Sequence, residues 1–571
     1  MQDEIKKLIK DALENLEIKV NDFGLEHPAD LKMGDYSTNV ALAIAKNIGT
    51  NPKELAKKIA EQISRLNTDK YIEKIEVAGA GFINFYLSRK FFGGSIEEII
   101  NQGENVGKNK LLAEKKIMIE YTDPNPFKPF HIGHLMTNAI GESIARILEH
   151  SGAKVSRANY QGDVGLHVAK AIYGLLENEK LQSKTGSHTL QSANIGKAYA
   201  RGSEVYEIDP KAKKEIEEIN KKIYDKTDKK INAIYDWGFK VTMDVFQDLY
   251  EMLGTEFDFY FLESQMIIVG EQAVKDNLDK VFHKSDGAVV FRGGDHDSKL
   301  HTRVFITSAG LPTYETKELG LAEQKFREEP DLNLSIVITA NEQVEYMKVV
   351  AKALSLIHPE YENKMLHITH GMMKFTSGKM SSRKGNVITG ESLLNDVRDE
   401  ILEKMTDREF ENMEREKIAT DVAVSAIKYS ILKQSTVGDI VYDFEKSISF
   451  EGDSGPYLQY SFARSNSILE KAKAENILPD PHAFPSEVFE VEKLLYKFPE
   501  VVLRSAFKYE PHHIASYLIE IARAFNSFYG NTLVIDKKDK TSSYKVALTC
   551  AFSFVMKNGL HLLGIQAPKK M

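Results

Sequence analysis

Apolar residues follow strand-like and helix-like patterns along this chain, and the clearest succession lies between residues 116 and 152. Residues 116–121 form a short apolar run, which predicts a buried strand. Residues 122–130 contain three prolines, so this stretch cannot be the interior of a helix and predicts a rigid loop. Apolar residues then recur at helical spacing until Gly152 ends the pattern. These helical positions are Leu135, Ile140, Ile144, Ile147 and Leu148.

The first hundred residues show a mixed pattern of their own. Apolar residues at helical spacing predict an amphipathic helix at the start, and a second helix is predicted to begin at Pro52, a common first-turn proline. Residues 74–87 alternate like a pair of strands around a glycine-containing turn. Residues 1–105 therefore predict a small α/β domain that ends in a polar stretch.

The rest of the chain divides into two further regions. Residues 106–395 hold the strand, loop and helix described above and a second strand-like run at 365–370, with an insertion at about 176–300. Residues 396–571 show helical spacing, most clearly at 514–528. The pattern predicts an α/β multidomain protein whose C-terminal domain is all-helical.

Composition adds mainly exclusions. The chain has 571 residues, 42% of them hydrophobic and 28% charged, which is typical of a globular protein of about three or four domains. Cys550 is the single cysteine, so disulfides within the chain and cysteine-rich zinc sites are excluded, and we expect no metal site. No apolar run approaches the roughly 20 residues of a membrane span, and the acidic start lacks a signal core. These features predict a cytoplasmic protein without a membrane partner.

The charge balance leaves nucleic acid open as a partner. The formal net charge is −8, but binding of a polyanion depends on the local field at the contact surface and not on the sum. Basic residues cluster at 537–540 and at 569–570. These clusters are either RNA contacts or solvated loops, and the sequence favours the second interpretation.

Candidate chemistry begins at residues 131–134, where the predicted loop meets the predicted helix. The N-terminus of a helix offers free N–H groups and a positive dipole end, which suit phosphate. His131 and His134 add hydrogen-bond donors, and Gly133 lets a flat base approach the backbone. A single histidine at this position would more often be a helix cap or a core residue. Two histidines that flank Ile-Gly at the start of a helix favour an ATP site. The G-x-G-x-x-G fingerprint is absent from this turn, which argues against a nicotinamide enzyme.

A second candidate segment follows the strand predicted at 365–370. Residues 371–386 are rich in glycine, serine and lysine. Taken alone, such a loop is either a solvated turn or a mobile loop that closes on a triphosphate and neutralises charge on the pyrophosphate leaving group. Its central residues are Lys379, Met380, Ser381, Ser382 and Arg383.

Together the two segments resemble the ATP motifs of class I aminoacyl-tRNA synthetases, and the chain as a whole is similar to the arginyl-tRNA synthetase family. The resemblance implies a Rossmann-like parallel-sheet catalytic core at 106–395, a domain at 1–105 that binds the tRNA elbow, and an anticodon-binding domain at 396–571. Further stretches that carry it are 34–39, 79–85, 123–125, 162–165, 312–316, 455–460 and 557–571.

The resemblance also implies a reaction and its partners. L-arginine would attack the α-phosphate of ATP to give arginyl-adenylate and pyrophosphate, and tRNA(Arg) would then accept the arginyl group on its 3′-terminal ribose. ATP would act as a substrate, Mg²⁺ would enter with it, and no zinc would be needed. The family implies a monomer. It also implies that arginine activation requires tRNA.

Carried over position by position, the resemblance implies an arginine site. A guanidinium needs an acceptor-only carboxylate in bidentate geometry, and Glu318 stands where the family has an aspartate. This departure changes the reach of the side chain and keeps its charge. Glu318 also lies four residues after Tyr314, on the same face of a predicted helix. Without the resemblance, Glu318 would be interpreted as a solvated helix acid. The implied arginine-binding residues are Asp123, Asn125, His134, Tyr314, Glu318 and Gln343.

The ATP site departs from the family pattern in a second place. The usual second motif ends in a lysine that stabilises the transition state, and Ser382 stands there in this chain. Many arginyl enzymes instead carry a lysine just before the first motif, and this chain has Lys128; the alternative is an ordinary loop lysine. The implied catalytic residues are His131, His134, Lys128, Lys379 and Arg383. The implied ATP-binding residues are His131, Gly133, His134, Lys379, Met380, Ser381 and Ser382.

Contacts to tRNA are implied at both ends of the chain. In the N-terminal domain, Phe82 would stack on an exposed base and Asn84 would bind the edge of the base, although Phe82 could equally be a core residue. In the C-terminal domain, Tyr457 and Gln459 lie in the stretch that matches the family best. Two other functions remain open at this stage: a small-molecule adenylyltransferase or carboxylate ligase on the same fold, and a non-enzymatic RNA-binding relative. The first would have no use for the terminal domains, and the second would be expected to lose the motif residues.

Overall fold

The computed structural model describes residues 1–67, 71–376, 388–405 and 410–571. Its N-terminal region is a small α/β domain, as predicted. The sheet order is β1-β3-β2 with antiparallel neighbours, and the first and third helices share one core with it. The elements are α1 (Gln2–Asn15), β1 (Tyr36–Thr38), α2 (Val40–Ala45), α3 (Pro52–Leu66), β2 (Ile72–Ala78), β3 (Phe82–Leu87) and α4 (Arg89–Gln102).

The middle region is built on a five-stranded parallel sheet in the order β11-β10-β4-β5-β6. Its elements are β4 (Lys116–Glu120), α5 (Ile132–His150), β5 (Lys154–Gln161), α6 (Leu166–Glu177), α7 (His188–Ile208), α8 (Pro210–Asp225), α9 (Lys229–Leu253), β6 (Phe259–Leu262), α10 (Glu263–Asp276), β7 (His283–Ser285), β8 (Ala288–Arg292), β9 (Thr302–Ile306), α11 (Tyr314–Glu328), β10 (Leu334–Ala340), α12 (Val344–Ile357), β11 (Met365–His370) and β12 (Met373–Phe375).

The strand order places a crevice at the centre of the sheet. From β4 the chain adds β5 and β6 on one side, then returns to place β10 and β11 on the other. In open parallel sheets of this kind, ligands bind beyond the carboxyl ends of the strands where the order reverses. Ile117, Met118 and Ile119 are buried because helices cover both faces of the sheet. The Rossmann-like core is therefore confirmed, and its crevice lies next to the loop after β4.

The predicted insertion at 176–300 needs a correction. Helices α7, α8 and α9 do leave the sheet, and they form a separate core with α6. The chain then re-enters the sheet at β6, which pairs in parallel with β5, before it forms the small antiparallel sheet of β7, β8 and β9. The stretch therefore contains two excursions from the sheet, one on either side of the edge strand β6. The sequence did not predict β6 because this strand is too short to give a recognisable periodic pattern.

The C-terminal region is helical with one exception. Residues 440–442 form the strand β13, which pairs in parallel with β12, so a domain that starts at 396 is not entirely helical. Ile440 and Tyr442 are buried while the residue between them is exposed, the alternation that a half-buried strand requires. The elements are α13 (Gly390–Lys404), α14 (Asn412–Leu432), β13 (Ile440–Tyr442), α15 (Phe444–Ser447), α16 (Gly455–Ala474), α17 (Glu492–Leu495), α18 (Phe498–Lys508), α19 (His512–Asn531) and α20 (Ser542–Leu562).

The C-terminal helices pack on α5 of the catalytic region. Apolar residues of α5, α14, α16 and α20 belong to one continuous buried core. The helical region is thus fixed against the helix that carries the first motif. Within the described residues, no helix combines the length and the apolar composition that crossing a membrane would require.

Candidate active site

The N-terminus of α5 carries both histidines of the first motif. Nδ1 of His131 accepts a hydrogen bond from the backbone N–H of His134 at 3.4 Å, and Nδ1 of His134 accepts one from the backbone N–H of His131 at 3.2 Å. The two rings stack with their centroids 3.4 Å apart. Because both Nδ1 atoms act as acceptors, the neutral rings carry their hydrogens on Nε2, where they can serve a ligand as donors.

Two effects keep these imidazoles neutral. Desolvation lowers the pKa of His131 and His134, and the nearby charge of Lys128 lowers both further. Gly133 has a steric role, since a Cβ atom there would lie 3.0 Å from the ring of His131. The helix N-terminus thus presents uncharged N–H donors, which suit phosphate oxygens.

The second motif lies outside the described residues. This applies to the predicted ATP-binding and catalytic residues Lys379, Met380, Ser381, Ser382 and Arg383. The described chain resumes beside the first motif: Thr389 pairs with His131 in an antiparallel bridge, and the backbone N–H of Gly390 donates to the carbonyl of Phe130 at 2.9 Å. The first described residues after the second motif therefore lie next to the first motif.

A cleft of about 640 Å³ opens next to the loop that follows β4. One wall is this loop, and the opposite wall is the start of α11. The predicted site residues Asn125, Lys128 and Tyr314 all line it, and Glu263, Lys317 and His167 line it as well.

Asp123 and Asn125 are held by backbone groups of the neighbouring strand β5 and of the loop after it. Oδ1 of Asp123 accepts a hydrogen bond from the N–H of Tyr160 at 2.7 Å, and Oδ1 of Asn125 accepts one from the N–H of Gly162 at 2.9 Å. A Cβ at Gly162 would lie 2.5 Å from that same Asn125 oxygen, so only glycine leaves room for this contact. Burial raises the pKa of Asp123 well above its usual value, and the charge of Glu120 adds to the rise.

Tyr314 and Glu318 lie in the first two turns of α11, four residues apart as predicted. Tyr314 is exposed in the cleft, with Nζ of Lys317 4.9 Å from its ring centroid. Glu318 is more enclosed. Burial, and next to it the charge of Glu120, raises the pKa of Glu318 to about 8. Glu318 is also close enough to Asp123 to raise the pKa of that carboxyl.

Four carboxylates meet here, but only two of them have a cationic partner. Glu120 forms an ion pair with Lys325, and Glu263 forms one with Lys317. Across the described part of the chain, neither Asp123 nor Glu318 forms an ion pair. Burial is the main cause that raises the pKa of Asp123 and of Glu318, and the nearby charges of Lys325 and, for Glu318, of Lys317 offset this rise only in part. The arrangement can accept a cationic group from a ligand.

Two further residues of the predicted site are Gln343 and Lys128. Gln343 ends a short turn directly after β10, and its Oε1 accepts a hydrogen bond from the hydroxyl of Tyr346 at 2.9 Å; the charge of Glu318 is one of the causes that raise the pKa of Tyr346. Lys128 is half-buried, with Nζ 5.7 Å from the ring centroid of Tyr199. Lys128 lines the cleft, whereas Gln343 lies outside the lining of the cleft and contacts Tyr346.

Family comparisons agree with this geometry. A model described as tRNA synthetases class I (R), catalytic domain, matches residues 95–444, more than half of the chain. The chain belongs to the arginyl-tRNA synthetase family. The family's N-terminal domain matches residues 3–87, and the DALR anticodon-binding domain matches residues 458–571. Every residue of this last range is described, and all of its regular elements are helices.

Individual relatives match along their whole length. The arginine–tRNA ligase of Clostridium perfringens is 30% identical over 585 residues, covering 99% of this chain and all of the relative. That of Lactobacillus johnsonii is 31% identical over 556 residues, covering 96% of each chain. The solved structure of Thermus thermophilus arginyl-tRNA synthetase has the same fold, with a TM-score of 0.82, 23% identity and complete coverage of both chains.

Three residues of the site were missed from the sequence. Glu263 directly follows the edge strand β6, a position that would have pointed to it had that strand been recognised. Lys317 directly precedes Glu318 on α11. Nε2 of His167 lies 2.8 Å from the carbonyl oxygen of Gly162, and burial lowers the pKa of His167 to about 4.

The two tRNA-contact residues predicted in the N-terminal domain, Phe82 and Asn84, differ in their exposure to solvent. Phe82 is 44% exposed, so the alternative that it is a core residue is wrong. Asn84 is only 4% exposed, and its Oδ1 accepts a hydrogen bond from the hydroxyl of Ser37 at 2.7 Å. The carbonyl oxygen of Asn84 is therefore engaged within the sheet, and a contact of this side chain with the edge of a base stays a prediction.

Of the two contacts predicted in the C-terminal domain, the one at Gln459 needs a correction. Gln459 is fully buried, and its Nε2 donates to the carbonyls of Asp421 and Gln566 at 3.2 and 2.8 Å. It joins α16 to α14 and to the C-terminal tail. The hydroxyl of Tyr457 accepts a hydrogen bond from Nδ2 of Asn526 at 2.9 Å inside the bundle. Gln459 therefore builds the bundle and is not available to tRNA, whereas Tyr457 is only partly buried and its contact with tRNA stays a prediction.

One group of potential metal ligands occurs in the described residues, far from the cleft in sequence. Oε2 of Glu510 lies 2.8 Å from Nε2 of His513 and 4.0 Å from Nε2 of His512. The N-terminus of α19 and the charges of Arg504 and Lys508 face the two rings and oppose a cation. We assign no metal to it.

Proposed function

We propose that this protein is an arginine–tRNA ligase that uses the cleft beside α5 and α11. Membership of the arginyl-tRNA synthetase family supports activation of arginine with ATP and transfer to tRNA. The single observation that carries the proposal is the pair Asp123 and Glu318, which lacks a cationic partner within the described residues. A guanidinium supplies a planar, permanent positive charge that matches such carboxylates.

In the first step, the substrate carboxylate attacks the α-phosphate of ATP and pyrophosphate leaves. The Nε2–H groups of His131 and His134, together with the N-terminus of α5, would donate to phosphate oxygens. Lys128 would add positive charge as negative charge develops on the phosphates. Asp123 and Glu318 would hold the guanidinium, so that the carboxylate of arginine faces the nucleotide. Catalysis then rests on positioning and charge stabilisation, without a covalent enzyme intermediate.

In the second step, the terminal ribose hydroxyl of tRNA(Arg) takes the arginyl group from the adenylate. The N-terminal domain is proposed to contact the tRNA elbow, and the C-terminal helices are proposed to contact the anticodon. Mg²⁺ is proposed to enter with ATP, held by phosphate oxygens and water, as this cation usually is. Glu263 and Asp163 beside the cleft are already engaged, by Lys317 and by Ser264 respectively. We also propose that the protein is cytoplasmic and monomeric. Light scattering in solution tests whether it is a monomer.

Arginine activation is expected to require tRNA. The measurement is ATP–pyrophosphate exchange with arginine, with and without tRNA(Arg), alongside formation of arginyl-tRNA. Citrulline, a neutral isostere of arginine, should support no exchange, because it would leave the two carboxylates unpaired. Robust exchange without tRNA would contradict the requirement. Exchange without arginyl-tRNA formation would indicate a small-molecule adenylyltransferase, and no exchange under either condition would indicate a non-enzymatic relative.

The Michaelis constant for arginine is expected to fall as pH rises from about 6.5 to 8.5. The pKa of Glu318 is raised to about 8 in the free protein, so the carboxyl is largely protonated below this pH. Binding of a guanidinium favours the ionised form, which means that binding releases a proton and strengthens with pH. The Glu318→Gln variant should lose most of this dependence. A flat profile in the parent enzyme would show that Glu318 does not titrate on binding.

Phe82→Ala is expected to raise the Michaelis constant for tRNA and to leave that for ATP unchanged. Stacking of a base on an aromatic side chain is worth about 1–3 kcal/mol, or roughly 5- to 150-fold. Ile48→Ala is the matched control, since Ile48 is 45% exposed in the same domain but has no aromatic face. If both variants change the tRNA constant equally, Phe82 makes no specific contact.

A further inference from the structure

The turn after β4 has an unusual backbone. Thr122 and Asp123 are consecutive, neither is glycine, and both have positive φ angles, of 80° and 48°. Such residues cost free energy and persist only where the surrounding structure holds them in place. Asp123 is one of the two carboxylates proposed to bind arginine, so the same turn that is strained also directs this side chain.

Besides the backbone N–H of Tyr160 on β5, several groups that hold this turn come from one stretch of α5. Nδ2 of Asn138 donates to the hydroxyl of Thr122 at 3.0 Å. The ring of Tyr121, the residue before the turn, is fully buried against Gly141, where an added Cβ would lie 2.3–2.7 Å from it. The hydroxyl of Tyr121 then donates to Oε2 of Glu142 at 2.5 Å. Tyr121 is therefore fixed at its ring and at its hydroxyl.

Glu142 is a buried carboxylate that stays ionised. It is 2% exposed, and it accepts hydrogen bonds from Nε of Arg146 at 2.6 Å and from Nε of Arg157 at 3.1 Å. Burial alone would raise its pKa, but the two guanidinium groups and the hydroxyl of Tyr121 hold the pKa of Glu142 below its usual value. An ionised acceptor makes the bond from the Tyr121 hydroxyl a strong one.

The same network reaches the C-terminal domain. Arg146 donates to the carbonyl of His561, in the last turn of α20, at 3.1 Å and to the carbonyl of Gly254 at 2.6 Å. One turn away on α5, the hydroxyl of Ser143 donates to the carbonyl of Leu562 at 2.8 Å. The end of the anticodon-binding domain is thus attached to α5 next to Glu142.

We infer that Glu142 is a positioning residue of the arginine site: it fixes the side chain of Tyr121 and thereby the strained turn that directs the Asp123 carboxylate at the substrate. Glu142 touches no substrate itself. The inference rests on the proposed function, because the site that it positions is the proposed arginine site. It goes beyond that function by extending the site to a buried network that α5 shares with the end of α20.

Two variants of the full-length chain test the inference. Glu142→Gln removes the charge, and Tyr121→Phe removes only the hydroxyl and keeps the packed ring. By analogy with partners that orient metal ligands, whose loss costs about 10- to 100-fold, we expect a rise of this order in the Michaelis constant for arginine in each variant. The constant for ATP should stay within about twofold, which a general loss of folded protein would not produce. The assay is ATP–pyrophosphate exchange in the presence of tRNA.

Glu149→Gln is the matched control. Glu149 lies on the same helix and also pairs with Arg157, at 2.7 Å, but it is partly exposed and makes no contact with Tyr121. We expect this variant to have the same Michaelis constants for arginine and ATP as the parent enzyme. The double variant Tyr121→Phe with Glu142→Gln should show less than the product of the two single effects, since both remove the same bond.

The inference is overturned if the Tyr121→Phe enzyme has the same Michaelis constant for arginine as the parent. An equal rise in the arginine and ATP constants would also overturn it, because it would show general damage and no positioning. Tyr121→Phe keeps the test decisive if Glu142→Gln fails to fold because Arg146 and Arg157 lose the buried carboxylate that they share. Failure of the proposed function itself is distinguishable, since the parent enzyme would then show no arginine-dependent exchange at all.

Discussion

Glu318→Gln is expected to lose arginine selectively. Removing one member of a buried charge pair costs about 3–5 kcal/mol, which corresponds to roughly 10²- to 10³-fold or more. The loss should appear in the arginine constants, while ATP binding stays nearly intact, because the histidines of α5 are unaffected. Glu318→Asp, which restores the residue typical of the family, should retain much of the activity, since it keeps the charge and changes only the reach.

The control for this prediction is Glu328→Gln, the same change at the far end of α11, where the side chain accepts only a hydrogen bond from Gln324. Thermal unfolding provides a second measurement. The pKa of Glu318 is raised on folding, so the parent protein loses stability as pH rises from about 5 to about 8, and the glutamine variant lacks this loss. The variant should therefore become relatively more stable than the parent across that range. An unchanged arginine Michaelis constant and turnover would show that Glu318 is not part of the site.

Lys128→Ala is expected to lower turnover by about 10²- to 10³-fold, by analogy with the loss of one donor from an oxyanion site. Adenylate formation builds negative charge on the phosphates only as the transition state is approached, and the lysine usual in the second motif is replaced by Ser382. Lys128 lines the cleft and lies close enough to both motif histidines to lower their pKa values. A contact made only in the transition state reduces turnover and leaves both Michaelis constants nearly unchanged.

Two further variants sharpen this prediction. Introducing lysine at Ser382 in the Lys128→Ala background should recover part of the lost turnover. Lys170→Ala is the matched control, because Lys170 lines the same cleft but its Nζ lies over the ring of Tyr206 at 4.3 Å and near Glu207 at 3.9 Å. If Lys128→Ala is nearly as active as the parent, the compensation hypothesis is wrong, and the cations of the second motif carry the charge without it.

The local elements of the core could be predicted because their signals are local. The buried strand, the proline-containing loop and the helix at 116–152 each follow from periodicity and from backbone chemistry within a few residues. The position of His131 and His134 at a helix N-terminus follows in the same way. The short strands β6 and β13 were not predicted, because three or four residues are too few to show a periodic pattern. These residues form strands because they pair with neighbouring strands from other parts of the chain.

The sequence by itself determined the family and predicts three regions and the motif residues, since these depend on which residues stand in which order. Only the tertiary structure decided which charges are compensated. Glu120 and Glu263 have lysine partners from α11, whereas Asp123 and Glu318 have none among the described residues. It also showed that Gln459 and Asn84 are buried while Phe82 is exposed. Burial and pairing arise from packing between segments that are distant in the chain, and a local pattern contains no information about that packing.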